Sequence, residues 1–333
     1  INPARFEEAG LPIPDTSWTT NDFANALDAL AEIREDPDKP ILRINMYGAS
    51  WFMMLVASFG GKPIDYNTSD PVVYDLTSDE NVAAIQQVMG YIKDGLIDYS
   101  GLVQGSSMFF GGSPEDETIV IDVIGDMNFT MQGMQGDYPL KAITFPDGVY
   151  MPVAYSLGMA HINSESVYIQ ECYDWIQTIA GHPELFNGMP SRPAEFDNPA
   201  LIAQQGTDVI DFYNGLTTSL TAPNIMTLPD VYGSVPSTQQ GAWLETNFFY
   251  YAVDQAVQED ADLLTELQQA EDNIATFREC TAGIEQLSDN DVRELFENDQ
   301  SAGQAYFRQF VDCAVTIVPE FRDIYSYYYQ DLD

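Results

Sequence analysis

Few side chains in this sequence are candidates for covalent chemistry. The 333 residues include two histidines and three cysteines, against 52 aspartates and glutamates. His161 lies in an apolar run that predicts a core strand, and His182 stands in a Gly-His-Pro loop at a predicted helix end. No spacing typical of a zinc protease, a serine hydrolase, a phosphate-binding loop or a dithiol site occurs. We therefore predict no catalytic residue, no metal and no cofactor.

The charge balance narrows the range of partners. Twelve lysines and arginines against 52 acids give a net charge of −40. Such a surface repels phosphate backbones and anionic lipid, so the sequence predicts no binding to nucleic acid. No apolar run reaches the roughly 18 residues of a membrane-spanning helix. Because the chain opens directly on Ile1-Asn2-Pro3, we expect either that a targeting segment has been removed or that this is a piece of a longer chain.

Helix and strand patterns alternate in the first half, which indicates α/β architecture. Thr19 and Asp22 match a capping box, and the helix that follows is predicted over residues 20–34. Ser78 is the predicted cap of another helix, and Gly95 lies just past its predicted end. A stretch of helical density covers residues 49–59. Strands are predicted over residues 41–46, 118–124, 140–145 and 155–162.

The second half is predicted to be mostly helical after an irregular middle. A helix is predicted between residues 161 and 181, and four side chains mark its buried side: Tyr168, Cys172, Trp175 and Ile179. Residues 188–236 are predicted to hold most of the irregular chain. From Ala242 onward the pattern is helical, and residues 263–277 suit one long amphipathic helix.

Several stretches, in this order, carry a resemblance to a known family. Residues 2–12 read Asn-Pro-Ala-Arg-Phe-Glu-Glu-Ala-Gly-Leu-Pro, and Ser-Trp-Thr follows at residues 17–19. Ser-Phe-Gly-Gly occupies residues 58–61, Leu-Gly-Met-Ala-His-Ile-Asn residues 157–163, and Gly-Met-Pro-Ser-Arg residues 188–192. The series resembles family 1 of the extracellular solute-binding proteins, the maltose-binding-protein-like carbohydrate binders of ABC importers.

The resemblance implies a fold and its division along the chain. It implies an α/β protein with the two-lobed type II periplasmic-binding-protein fold. Residues 1–150 would form lobe 2 and residues 151–235 part of lobe 1. Residues 236–333 would form a helical part that packs on lobe 2 and ends in a helical hairpin. In this family most of the sheet of the first lobe precedes the opening motif. We therefore expect the N-terminal part of that lobe to be absent here and the native protein to be longer.

The same resemblance implies a function. It implies capture of a small solute, a sugar or oligosaccharide, in a cleft between the lobes, for delivery to the membrane permease of an ABC transporter. The expected location is extracytoplasmic, periplasmic or at the cell surface, with a lipid anchor on the missing N-terminus, and the expected state is a monomer. Two alternatives stay open, a surface or filament protein that reuses the fold and a glycan-cleaving enzyme. The many carboxylates would allow the latter, although no pair is marked out.

The resemblance also suggests ligand-binding residues, because aromatic faces and fixed polar groups suit a sugar in a cleft. The predicted contacts are Tyr47, Trp51, Asp126, Asn128, Tyr155, Arg192, Tyr232 and Trp243. Met127 stands where many family members have a sugar-stacking tryptophan, so ordinary pyranose stacking is not expected there. Structural roles stay open for Trp51 in a helix core and for Arg192 in a salt bridge. Trp18, directly before a helix cap, is predicted to be a packing anchor.

Two of the three cysteines are predicted to pair. Cys172 falls on the apolar side of its helix and is predicted to be a buried free thiol. Export, which the resemblance implies, would expose Cys280 and Cys313 to an oxidising compartment. The segment between them contains Ser-Asp-Asn-Asp at residues 288–291, a turn and cap signal that lets the chain reverse. We therefore predict a disulfide between Cys280 and Cys313, with two independent buried cysteines as the alternative.

Overall fold

The computed structural model describes residues 1–44, 49–65, 72–103, 118–121, 140–154, 158–228 and 241–329. These residues contain twelve α-helices and six short strands. The helices are α1 Pro3–Glu8, α2 Thr20–Ile33, α3 Ser50–Ser58, α4 Asp79–Lys93, α5 Ile169–Ala180, α6 Pro199–Gln205, α7 Thr207–Ser219, α8 Ala242–Gln258, α9 Leu263–Thr281, α10 Asp289–Asn298, α11 Gln300–Ile317 and α12 Phe321–Ile324. The strands are β1 Leu42–Ile44, β2 Ile64–Asp65, β3 Val73–Tyr74, β4 Ile119–Ile121, β5 Met151–Ala154 and β6 Ile225–Leu228.

The chain divides into two compact units. Unit 1 comprises residues 1–46, 94–98 and 108–227, and unit 2 comprises residues 47–93, 99–107 and 228–333. Unit 1 therefore combines residues that the sequence-based division assigns to different lobes. The lobe boundaries at residues 150 and 235 stay a prediction.

The start of unit 1 follows its sequence pattern closely. The Thr19 side chain accepts a hydrogen bond from the backbone of Asp22, and the Asp22 carboxylate accepts one from the backbone of Thr19. This capping box satisfies amide groups that the first turn of a helix leaves unpaired, and it confirms the predicted start of α2. The indole N–H of Trp18 donates to the carbonyl of Thr144 at 2.9 Å, and its ring meets Phe23 edge-on. Trp18 is a packing anchor, as predicted.

Unit 1 contains a two-stranded parallel sheet formed by β1 and β4. Strand β1 pairs with β4 so that Leu42 lies opposite Ile119 and Ile44 opposite Ile121. The backbone of Leu42 also bridges Ile97. Both strands bury alternate side chains, as a strand packed on one face does.

The predicted strand over residues 140–145 does not form, because its backbone bonds to irregular chain instead. The amide of Lys141, for example, donates to the carbonyl of Ile1 at 2.7 Å. Strand β5 ends at Ala154 and pairs with β6. Of the strand predicted over residues 155–162, residues 155–157 lie outside the described residues and residues 158–162 have no strand structure. His161 is exposed in that stretch, so its prediction as a core residue is wrong. An apolar extended run becomes a strand only where a neighbouring strand can accept its hydrogen bonds.

The predicted irregular stretch at residues 188–236 contains two helices and strand β6. Asn198 caps α6 through its side chain, which accepts from the amide of Ala200 at 2.9 Å, and Pro199 takes the first helical position. Helix α7 follows directly after Gly206, whose positive φ of 86° suits a residue without a Cβ. An Asn-Pro helix start was therefore readable in the sequence.

The described residues of unit 2 form a helical core with a small antiparallel strand pair. Helices α8 and α9 pack along each other, and α9 and α10 both contact α11. The core contains several fully buried rings: Phe248, Phe249, Phe277, Phe310 and Phe321. The antiparallel pair of β2 and β3 sets Ile64 opposite Tyr74.

A disulfide joins α9 to α11, which confirms the predicted pairing of Cys280 with Cys313. Between them, Ser288 and Asp291 form a capping box at the start of α10. Cys172 is free, as predicted, but it is half-buried rather than buried, because no residue of α5 is buried. The amphipathic pattern of α5 was correct, whereas the predicted burial of its apolar side was wrong.

Candidate functional site

Trp51 lies inside the core of unit 2. It occupies α3, in which every residue is buried, and it is 2% exposed. Its ring meets Phe52 edge-on at 5.7 Å and Tyr99 at 6.5 Å between ring centroids. A ligand needs an exposed ring face, and Trp51 offers none. The prediction of a ligand contact for Trp51 is wrong, and its alternative, a helix-core role, describes its place.

The neighbour of Trp51, Tyr99, belongs to a loop that a buried carboxylate organises. The Tyr99 hydroxyl donates to Asp254 on α8. Asp254 also accepts from the amides of Leu102 at 2.7 Å and Val103 at 3.1 Å. Burial raises the pKa of Asp254, while these three hydrogen bonds oppose the shift. Burial and the nearby carboxylate likewise raise the pKa of Tyr99, which stays a neutral donor. Because its oxygens already accept from the loop, Asp254 positions residues 99–103 rather than offering a ligand site.

A second polar cluster of unit 2 ties α9 to the hairpin. The Arg278 guanidinium donates to both carboxylate oxygens of Glu245, at 2.8 and 2.6 Å, and to the carbonyl of Val72 at 2.7 Å. Glu245 is 3% exposed. The hydrogen bonds to Glu245 raise the pKa of Arg278, so the guanidinium keeps its charge. The Arg278 guanidinium also lies over the ring of Tyr74. The cluster is structural, since its charges compensate each other.

Trp243 is a predicted ligand contact that lies within the described residues of unit 2. It lies in the first turn of α8 and is half-buried. Its ring meets Tyr325 edge-on at 5.4 Å and stacks on Tyr328 at 6.5 Å with 28° between the planes. The side-chain amide of Asn247, one turn along α8, donates to the Tyr325 hydroxyl. We call these four residues the aromatic cluster.

The chemistry of the aromatic cluster suits a neutral, hydroxylated ligand. Burial raises the pKa values of Tyr325 and Tyr328, so both phenols are protonated at neutral pH. A flat indole face beside neutral hydroxyl and amide groups provides C–H contacts and hydrogen bonds together. The sequence alone did not reveal Tyr325, Tyr328 or Asn247. The run of tyrosines near the end of the chain was the available signal.

Arg192 caps a helix end in unit 1. Its guanidinium donates at 2.8 Å to the carbonyl of Ala180, the last residue of α5, and lies 3.9 Å from the Glu195 carboxylate. A cation at the negative end of a helix dipole is stabilising. The Arg192 side chain is 59% exposed, so these contacts leave part of its guanidinium open to solvent. A role of Arg192 in ligand binding stays a prediction.

The remaining predicted ligand contacts lie outside the described residues. They are Tyr47, Asp126, Asn128, Tyr155 and Tyr232. Among the residues that the structure describes, no group of three or more His, Cys, Asp and Glu is placed to hold a metal ion. Over the same residues, no helix has the length and apolar character needed to cross a membrane.

Comparison with known proteins rests on structure alone. No family model matches the sequence, and no curated protein matches it. The chain is similar in structure to the sugar-binding protein MalE from Xanthomonas citri, with 12% identity and a TM-score of 0.57. This match covers 85% of this chain and 69% of the MalE chain.

Two further solved structures match with similar coverage. The ABC substrate-binding protein Lmo0181 from Listeria monocytogenes, in complex with cycloalternan, is 15% identical with a TM-score of 0.51. That match covers 82% of this chain and 67% of the other. UgpB from Mycobacterium tuberculosis, in complex with glycerophosphocholine, is 15% identical over 82% of this chain and 66% of its own, with a TM-score of 0.52. This chain thus spans about two thirds of the length of these proteins. It has the α/β fold of type II periplasmic binding proteins, which agrees with the resemblance read from its motifs.

Proposed function

We propose that this chain captures a small carbohydrate outside the cytoplasm and delivers it to the permease of an ABC transporter. It does so by reversible binding, without covalent chemistry. The observation that carries the proposal is the shared fold, which extends over more than four fifths of the chain. The proteins that share it are substrate-binding proteins whose structures hold or name sugars and, in one case, a glycerophosphodiester.

The disulfide supports the extracytoplasmic part of the proposal. Disulfides such as Cys280–Cys313 form and persist in oxidising compartments and are rare in the cytosol. A net charge of −40 is compatible with a well-solvated surface. From the resemblance we also propose that the protein has a lipid anchor and is a monomer.

The aromatic cluster supports a carbohydrate as the ligand. Trp243 is half-buried, and neutral hydrogen-bonding groups lie beside it. We propose Trp243 as a ligand contact on that basis. The proposed contact set also keeps six residues that the resemblance suggests as ligand contacts: Arg192, Tyr47, Asp126, Asn128, Tyr155 and Tyr232.

A panel of thermal-shift measurements tests the proposal. The panel contains linear and cyclic gluco-oligosaccharides, glycerophosphocholine, amino acids and polyamines. A ligand at 100 times its Kd stabilises the native state by about 2.7 kcal/mol, which is easily seen as a higher melting temperature. Stabilisation by one class of carbohydrate supports the proposal. Stabilisation by amino acids or polyamines alone would refute the proposal that the ligand is a sugar.

The alternatives predict different outcomes. A glycan-cleaving enzyme converts the stabilising oligosaccharide into shorter products, which chromatography of the incubated mixture detects. A filament protein forms large particles, which light scattering detects. The structures similar to this chain are binding proteins, and that observation favours neither alternative.

A further inference from the structure

The aromatic cluster takes two of its rings from a short segment of unit 2. We call residues 321–329 the tail; it contains helix α12 and one 3-10 turn, Ser326–Tyr329. Tyr325 and Tyr328 of the tail pack against Trp243. A single turn has little stability of its own, because few hydrogen bonds offset the cost of ordering its backbone. Side-chain contacts must therefore hold the tail in place.

The start of the tail is fixed by packing in the core. Phe321 is fully buried, and its ring lies 5.3 Å from that of Phe248 on α8, measured between centroids. The same ring meets Tyr325 edge-on at 5.7 Å. The hydroxyl of Tyr325 accepts a hydrogen bond from the side-chain amide of Asn247. These contacts hold the tail as far as Tyr325, whereas Tyr328 lies three residues further on.

The end of the tail is held by contacts of a different kind. The hydroxyl of Tyr329 donates to the carboxylate of Asp312 on α11 at 2.8 Å. The guanidinium carbons of Arg308 and Arg322 lie 4.6 and 4.5 Å from the centre of the Tyr329 ring. Both distances are within the range of a cation–π contact. We call Tyr329, Arg308, Asp312 and Arg322 the tyrosine clamp.

The tyrosine clamp joins the tail to α11 at the surface of unit 2. Burial and the hydrogen bond to Asp312 raise the pKa of Tyr329 to about 12, so its phenol stays a neutral donor. Arg308 and Asp312 stand one turn apart on α11, and their side chains are 48% and 57% exposed. Arg322 is exposed as well. Replacing either arginine therefore removes the clamp contact without leaving a buried charge or a core cavity.

We propose that the tail forms one wall of the carbohydrate site and that the tyrosine clamp positions this wall. The two arginines and Asp312 act on the sugar only through Tyr329, by keeping Tyr328 stacked on Trp243. The inference rests on the proposed function, because it assigns the aromatic cluster to a carbohydrate. It adds that the affinity for the sugar depends on positioning residues that do not touch it.

The first test compares sugar binding with and without the tyrosine clamp. The probes are the carbohydrates of the thermal-shift panel, among them maltotriose and cycloalternan, and calorimetry on the whole chain measures the Kd. We expect Arg308→Met with Arg322→Met to raise the Kd about fivefold, because Tyr328 no longer stays beside the indole. Lysine at both positions should recover part of the affinity, since an ammonium group also forms cation–π contacts. Arg293→Met removes another exposed arginine and should leave the Kd unchanged.

A double-mutant cycle separates positioning from a general effect on the fold. If the clamp acts through the aromatic cluster, its loss should not change the Kd further once Trp243→Ala is present, because coupled residues are not additive. A clamp that only stabilised the fold, or that bound the sugar directly, would raise the Kd by the same factor in both backgrounds. Equal factors, or an unchanged Kd in the double arginine variant, would overturn the inference.

A measurement without sugar tests the clamp itself. Trp18 and Trp51 are 7% and 2% exposed, so Trp175→Phe leaves Trp243 as the one of the four tryptophans that acrylamide can readily reach. In that background, loss of both arginines should raise the quenching constant about twofold, because the released tail uncovers the indole. An unchanged quenching constant would mean that the clamp does not hold the tail, and it would overturn the inference.

The outcomes separate this inference from the proposed function. If no carbohydrate of the panel binds the unmodified protein, the proposed function fails and this inference fails with it. If a sugar binds the unmodified protein and the double arginine variant equally well, only the role of the clamp is refuted. Should the double variant fail to fold, Tyr329→Phe takes its place in both measurements, because it keeps the ring and removes only the hydrogen bond to Asp312.

Discussion

The Cα atoms of Cys280 and Cys313 lie 5.9 Å apart, and their disulfide links α9 to α11 across a sequence separation of 33 residues. A cross-link of this length stabilises mainly by restricting the unfolded chain. We expect Cys280→Ser with Cys313→Ser to lower the free energy of unfolding by about 3–4 kcal/mol in the chain-entropy model. Urea denaturation measures the change. Cys172→Ser is the matched control, because Cys172 forms no disulfide and should have a much smaller effect.

Asp254 provides a prediction on pH. Its pKa is raised in the folded protein, chiefly by burial, so its carboxylate is harder to ionise there than in the unfolded chain. A raised folded pKa means that stability is greatest below the unfolded-state pKa and declines as the pH rises through the folded value. The variant Asp254→Asn lacks this titration. We expect the wild type to lose stability relative to Asp254→Asn as the pH rises from about 3.9, the ordinary pKa of aspartate.

The same variant has a cost that does not depend on pH. The amide nitrogen of the substituted side chain cannot accept the hydrogen bond from the amide of Leu102 or Val103 that it would face. An unsatisfied buried donor costs about 1–3 kcal/mol, so Asp254→Asn should be less stable overall. Denaturation curves at several pH values separate the constant loss from the titrating part. If the wild type instead gained stability relative to Asp254→Asn as the pH rises, the raised pKa of Asp254 would be contradicted.

Removing Arg278 should strongly destabilise unit 2. Arg278→Met leaves the buried Glu245 carboxylate without its cation, and breaking a buried pair in this way costs about 3–5 kcal/mol. Arg293→Met is the matched control. Its ion pair with Glu297 is 3.9 Å long and exposed, so we expect about 0–1 kcal/mol. Equal losses for the two variants would mean that Glu245 is solvated.

Trp51→Ala should lower the free energy of unfolding rather than directly weaken ligand binding. Deleting a fully buried aromatic ring costs about 3–5 kcal/mol, because it leaves a cavity among Phe52, Tyr99 and their neighbours. Tyr327→Ala, at an exposed ring, should change stability by less than about 0.5 kcal/mol. A stable Trp51→Ala protein with weakened ligand binding would contradict the core assignment.

Trp243→Ala tests the aromatic cluster. If Trp243 contacts the sugar, the Kd for the stabilising carbohydrate should rise about fivefold, because an aromatic contact is worth about 1 kcal/mol. Trp243→Phe should recover part of the affinity. Tyr327→Ala removes an exposed ring from the same tail and should leave the Kd unchanged. Calorimetry measures all three, and an unchanged Kd in Trp243→Ala would remove Trp243 from the site.

Local sequence signals determined the features that depend on neighbours in the chain. The Thr19–Asp22 capping box and the apolar stripe from residue 263 to residue 277 predicted α2 and α9. Each depends on hydrogen bonds or side-chain spacing within one or two turns, so no distant residue is needed to recognise it. The motif order predicted the fold, and the turn signal at residues 288–291, together with the export that the resemblance implies, predicted the disulfide.

Tertiary structure alone decided which apolar side chains are covered. Trp51 and Trp175 both lie on helices with apolar residues at helical spacing, yet Trp51 is fully buried and Trp175 is exposed. The spacing of apolar residues along a helix predicts which side is apolar, but the burial of that side depends on whether another element packs against it. The aromatic cluster could not be predicted for the same reason. Trp243 packs against Tyr325 and Tyr328, which lie about 80 residues later in the chain. Such a cluster is formed only when distant segments pack together, and no local pattern encodes it.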